Sequence, residues 1–192
     1  MLMKLLSSSH QSLLIDLSEL LALSDNQLLW DGKSADEITS DTDLDELSIQ
    51  QNDLERELID EMKRSSDNDY HLSARIGYFS DRSIAKSKLI KTLKTYPITK
   101  SELPDTRIES AITVFKELIE GESFEEISVP KIMLYELFLV ALQDGHISEV
   151  EMAFLKAFQD HFEIEDFMFD DILERAEALT QEMSTTISLV LE

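Results

Sequence analysis

The chain has 192 residues, of which 43% are hydrophobic, enough to bury a core of its own, and a net charge of −23. That charge repels nucleic acid and anionic membranes and draws basic partners. No cysteine excludes disulfides and thiol catalysis, and only 4 glycines and 3 prolines argue against a loop-rich β architecture.

Met1–Leu6 holds one lysine and short apolar pairs, with no uninterrupted apolar run behind them, so no secretory signal is expected and the reading is cytoplasmic. No run approaches the roughly 20 apolar residues of a membrane span. Leu13, Leu14, Leu17, Leu20 and Leu21 form a helical stripe, predicting a helix from Ser9 to Leu23. Ser24, Asp25 and Asn26 end it, and Trp30 is expected to anchor the next stretch to the core. Gly32 to Asp45 is acidic and poor in large apolar groups, which reads as a mobile loop or linker. A domain division follows: 1–30 as an N-terminal helical element on the core, 31–46 as acidic loop or linker, and 47–192 as the helical domain.

Leu47, Leu54, Leu58 and Met62 predict a second helix with Asp53, Glu55, Glu57, Asp60 and Glu61 outside. Tyr70 to Phe79 carries both strand and helix periodicity, and Ile187, Leu189 and Leu191 alternate, so a minor two-stranded pairing between these segments is one reading. Residues 82–100 contain six bases (Arg82, Lys86, Lys88, Lys91, Lys94, Lys100) and no acid. They predict a basic helix over 82–95, capped by Ser80 or Asp81, with Ile84, Leu89, Ile90 and Leu93 buried. Its lysines are expected to pair with acids of this chain or of a second copy. Phosphate binding would work against the global field, and no aromatic platform is interleaved for bases.

Thr106 to Glu120 is a clear amphipathic helix, with Ile108, Ala111, Ile112, Phe115, Leu118 and Ile119 on one face and Gly121 as its stop. Ser123 to Glu126 reads as a short helical turn leading to Pro130. From Ile132 to Leu142 the residues are apolar nearly all round, which predicts an enclosed central helix over about 130–143. Val150, Phe154, Ala157 and Phe158, then Met168 or Phe169, Ile172, Leu173, Ala176 and Leu179, supply two more helical stripes. The expected fold class is all-α, an orthogonal multi-helix bundle around that central helix.

Asp144-Gly145-His146-Ile147-Ser148-Glu149-Val150-Glu151 is the motif with a chemical look. Ser148 with Glu151 three residues on is a capping box. The stretch also fits half of an EF-hand loop, with Asp144 and Glu151 at liganding positions, but the first two ligand positions fall on Val140 and Leu142, which offer no side-chain oxygen. The plainer reading is a turn whose Asp144 accepts backbone N–H groups and whose Glu151 caps a helix, with His146 solvated.

The apolar helix, the pattern Ala141, Asp144, Gly145, Ile147, Glu151, and the following Phe154 and Leu155 together resemble the tellurite-resistance TerB-like family, over 131–179. The resemblance implies an all-helical fold and a role in stress response or protein–protein contact. It also implies a metal or partner site at Asp144, Glu149 and Glu151. The family's second, earlier turn has its nearest counterpart in Asp31 to Glu37, which lacks the aliphatic position and the spacing.

Four histidines (His10, His71, His146, His161) lack metal-ligand spacing, and there is no glycine-rich phosphate loop and no Gly-x-Ser-x-Gly turn. The expectation is therefore a non-enzymatic acidic interaction module. It has no cofactor beyond a divalent cation held weakly at Asp144, Glu149 and Glu151. Its partner is a protein with a basic surface, contacted through Asp144, His146, Glu149, Lys86, Lys88, Lys91 and Lys94; membranes and direct nucleic-acid contact are not expected. Two alternatives stand beside it: an acidic inhibitor, immunity protein or nucleic-acid mimic that blocks a basic cleft, and a subunit of a salt-sensitive assembly, homo-oligomeric or otherwise, docking through helix 82–94.

Overall fold

A computed structural model describes residues 1–66, 83–124 and 126–191. Among these the fold is all-α with one short pair of antiparallel strands. After a 3-10 turn at Leu2–Leu5 come α1 (Ser8–Leu23), β1 (Leu28–Trp30), β2 (Leu47–Ile49) and α2 (Asp53–Ser65). There follow α3 (Ile84–Leu93), the single turn α4 (Ile98–Ser101), α5 (Pro104–Leu118), α6 (Ser128–Ala141), α7 (Glu149–His161) and α8 (Asp166–Leu191).

The central helix is where its all-round apolar pattern places it. In α6, Met133, Leu134, Leu137, Phe138 and Val140 are fully buried, and α1, α7, α8 and the N-terminal turn pack on it. It is not alone at the centre. Ten of the sixteen residues of α1 are buried, and α1 packs against α6, α5, α3 and α2. Its stripe is so broad that even Gln11 and Ser18 go inside; Gln11 Nε2 donates to the Leu6 carbonyl at 3.0 Å. The N-terminal turn is held by the buried Glu136, whose Oε1 accepts the Met3 N–H at 3.0 Å. A string of rings runs through the core: Phe115 meets Phe154 and Phe158, Phe158 meets Phe162, and Phe162 meets Phe124, at centroid separations of 4.6–6.1 Å.

Several expected boundaries move. Residues 31–46 are a loop, and its ends are joined by the pairing of Leu28, Leu29 and Trp30 with Ile49, Ser48 and Leu47. Asp31 and Gly32 both have positive φ, 51° and 73°, and turn the chain so that Trp30 and Lys33 exchange backbone hydrogen bonds. An Asp-Gly pair is suited to that mirror-image turn. The remainder of the loop is knitted rather than free: Thr42 Oγ1 accepts from the Thr39 N–H and from Lys33 Nζ, and Ser34 bonds to Asp36 and Glu37. Trp30, 3% exposed, is the expected anchor.

α2 starts at Asp53 on an Asn52 cap, and Leu47 belongs to a strand. Counting Leu47 into the helical stripe misplaces its face. The buried positions are Glu55, Ile59 and Met62, while Leu54 is 53% exposed. α3 starts two residues later than expected, its cap being Ser83, whose hydroxyl accepts the Lys86 N–H. Ile84 is 56% exposed, a correction to its expected burial; Ala85, Leu89 and Leu93 face inward. Ser123 and Phe124 are not helical, and α6 begins at Ser128. The strand-like alternation of Ile187, Leu189 and Leu191 is overridden, since these residues lie in α8. The segment 70–79 lies outside the described residues, as do the expected caps Ser80 and Asp81.

Candidate functional site: an acidic turn over buried carboxylates

Between α6 and α7 the chain must reverse in seven residues. Gly145 takes φ 93°, a left-handed value that side chains disfavour. Asp144 Oδ1 accepts the His146 N–H at 3.1 Å, and His146 Nδ1 sits 3.3 Å from the same carboxylate. Ser148 Oγ accepts the Glu151 N–H at 3.2 Å while Glu151 Oε2 accepts the Ser148 N–H at 2.8 Å, completing the predicted capping box. The plainer reading of the turn is therefore what the geometry realises. Ser148→Ala is expected to lower stability by about 1 kcal/mol, the usual worth of such a cap, measured as a shift in the urea midpoint.

Asp144, His146 and Glu149 are exposed, as a docking surface needs. Glu151 is not: it is 3% exposed and points to the same interior as Glu55 of α2, 5% exposed. Burial, first, pushes the Glu151 carboxyl up to about 8, and the charges of Asp25 and Glu55 push the same way against the Ser148 hydrogen bonds. Burial likewise lifts Glu55 to about 7, with Asp25 and Asp144 adding to it and the Asn26 amide, 3.4 Å away, opposing. Carboxylates from the α1–β1 link, α2, the turn and α7 thus share one electrostatic neighbourhood. The sequence reading found Asp144, Glu149 and Glu151 but not Asp25 or Glu55. Glu55, expected on the outer face of its helix, is instead buried, because it lies four residues before Ile59 and seven before Met62 on the inner face of α2.

Beside Glu55 a cleft of about 630 Å³ opens between α1, α2 and α3, bordered by Asp16, Glu19, Asn26, Lys63 and Lys86. Asp16 is raised to about 6, by burial first and Glu19 second, with Lys63 opposing; Lys63 is paired with Glu19. Lys86 reaches this acidic region, whereas Lys88 pairs with Glu117 of α5 and Lys94 donates to the Asp45 carbonyl in the hairpin loop. Lys91 is exposed and acts on Glu117 through its charge. Within this helix, then, Lys88 is engaged by an acid of the chain, Lys94 by a backbone carbonyl, and Lys86 borders the same cleft as Glu55.

Among the described residues, no three His, Asp or Glu side chains converge with metal-ligating geometry, and no helix is long and apolar enough to cross a membrane. His10 packs edge-on against Phe124, and His161 against Phe115 and Phe162. Compared with known proteins, the chain matches no family model, no curated protein and no solved structure.

Proposed function

We propose that this protein is a TerB-like, non-catalytic interaction module of stress response or defence that docks a basic protein segment on the face carrying Asp144, His146 and Glu149. The observation that carries this reading is the electrostatic state of the ground beneath that face. Burial first, and the acidic charges of Asp25, Asp144 and Glu55 after it, lift Glu55 and Glu151 above an ordinary glutamate. Like charges gathered in a partly desolvated place disfavour one another. A cation arriving at the surface, whether a lysine or arginine of a partner or a divalent ion, favours the ionised form of those carboxyls and gains attraction from a −23 chain. Engagement of Lys88 and Lys94 inside the chain supports the acidic face, rather than helix 82–94, as the docking side.

A fluorescent lysine-rich helical peptide, titrated at low and high salt, tests the docking. Asp144→Asn with Glu149→Gln is expected to weaken binding about 10-fold, as befits two charge contacts at about 1.4 kcal/mol per decade. Neutralising the exposed Asp170 and Asp171 of α8 instead is expected to change it little. Equal losses from both pairs would mean bulk charge and not a site. Calorimetric titration with Ca²⁺, Mg²⁺ and Zn²⁺ examines the ion; absence of heat together with an unmoved melting point would remove a divalent cation from the proposal.

A further inference from the structure

α8 extends past the body of the fold. Its first half is anchored by Phe169, Ile172 and Ala176, at 1%, 9% and 0% exposure. From Gln181 to Val190 every residue is exposed, although the helix continues to Leu191. Eleven residues of helix at about 1.5 Å each make an overhang of about 16 Å. A helical stretch this short is marginal by itself in water. The overhang is also apolar on one side: Leu179, Met183, Ile187 and Val190 are 39–76% exposed and recur at steps of four, four and three. From Met183 to Leu191 there is no charged residue, in a chain where 30% of residues are charged.

The same face of α8, followed back toward its start, leads into a groove of about 610 Å³ against α6 and the N-terminal turn. Leu2, Ile132, Tyr135, Met168 and Ile172 line it. Lys131 and Arg175 stand at its edge, two cations on an acidic protein.

We propose that groove and overhang are the two halves of one self-complementary interface: a second copy of this chain lies antiparallel along α8, each overhang filling the other's groove. Three features select a second copy. The apolar overhang needs an apolar groove, and the chain carries one at the root of the same helix. Two chains of −23 repel over most of their surfaces but not along the stretch from Met183 to Leu191, which carries no charge. When Met183 of one copy lies against Ile172 of the other, Glu182 comes to the flank where the partner's Arg175 stands, twice by symmetry. A two-fold interface of this kind is isologous, each patch meeting its own counterpart. The interface is independent of the acidic face around Asp144.

Sedimentation equilibrium of the full chain over a range of concentrations decides the matter. The expected mass is twice 22.0 kDa, falling to 22.0 kDa on dilution. Met183→Glu with Val190→Glu is expected to give a monomer with an unchanged core melting transition, because both side chains are outside the core. Ser188→Glu, off the stripe, should leave the dimer intact. Arg175→Glu should weaken association about 10-fold, and adding Glu182→Arg should restore it, which a purely structural role for Arg175 would not do. A monomer at every concentration, or a dimer indifferent to the Met183 and Val190 changes, overturns the proposal; loss of peptide binding at the Asp144 face would leave it standing.

Discussion

Arg107→Ala is expected to cost about 2–6 kcal/mol, since it leaves two buried carbonyls without their donor at about 1–3 kcal/mol each. Arg107 is 3% exposed at the start of α5. Its Nε donates to the Ser24 carbonyl at 2.6 Å and its Nη2 to the Leu23 carbonyl at 2.8 Å. Those are carbonyls at the C-terminal end of α1, which have no partner inside the helix and carry its negative dipole end. Burial pulls the guanidinium down to about 10, and Asp25 and Glu102 hold it up. It therefore stays charged over the whole physiological range. Truncation strands two buried acceptors and leaves Asp25 without that cation. Since α1 packs on five other helices, the loss should appear as one cooperative transition at lower urea, not as local fraying. Arg107→Lys keeps the charge but not the two-pronged geometry, and should recover about half. A midpoint lowered by less than about 1 kcal/mol for Arg107→Ala would show that the α1 terminus finds water or another donor.

Stability is expected to fall as pH rises, against the habit of acidic side chains in salt bridges. Glu55 and Glu151 have folded values of about 7 and about 8 against an ordinary 4.5, and Asp16 about 6 against 3.8. A raised carboxyl binds its proton more tightly in the native state. Its contribution is fully present below the ordinary value and is lost as pH climbs through the folded one. The window therefore opens near pH 4 and closes just above about 8. Each unit of displacement corresponds to about 1.4 kcal/mol, so the three groups together should remove several kcal/mol across it. Glu55→Gln with Glu151→Gln should flatten the upper part of the curve and make the protein more stable than the parent near the alkaline end. Glutamine at position 151 retains the capping box, because its carbonyl still accepts the Ser148 N–H. Urea midpoints taken across the window measure this. A parent protein that gains stability with pH, or a double variant that tracks the parent, would refute the buried-acid account.

The residues legible in advance were those whose role depends on near neighbours in the chain. Ser148 and Glu151 are three apart and cap each other whatever surrounds them. The apolar circumference of α6 could only be buried, and Leu137 and Phe138 are at 0% exposure. The Asp-Gly turn at 31–32 carried an equally local signature, but its acidic surroundings suggested a linker, so the short strand pair at its mouth was missed. Leu54 and Ile84 are expected inward because they are apolar, yet each precedes by one residue the position that is buried, Glu55 and Ala85. One residue of shift turns a helix by about 100°, enough to exchange a leucine for Glu55.

By itself, the sequence determined the helical class, the central rod, the 144–151 turn and the acidic exterior, because hydrophobic period and capping chemistry act over a few residues. Only the tertiary structure decided that α1 shares the centre with α6, that Arg107 closes α1 from the distance of another helix, and that Asp25, Glu55, Asp144 and Glu151 share one electrostatic neighbourhood. Those facts depend on which helix faces which, and a helix face is settled by the packing of all its neighbours together. The same packing ends before Gln181, which is why an apolar stripe that reads like any core face is left in the open.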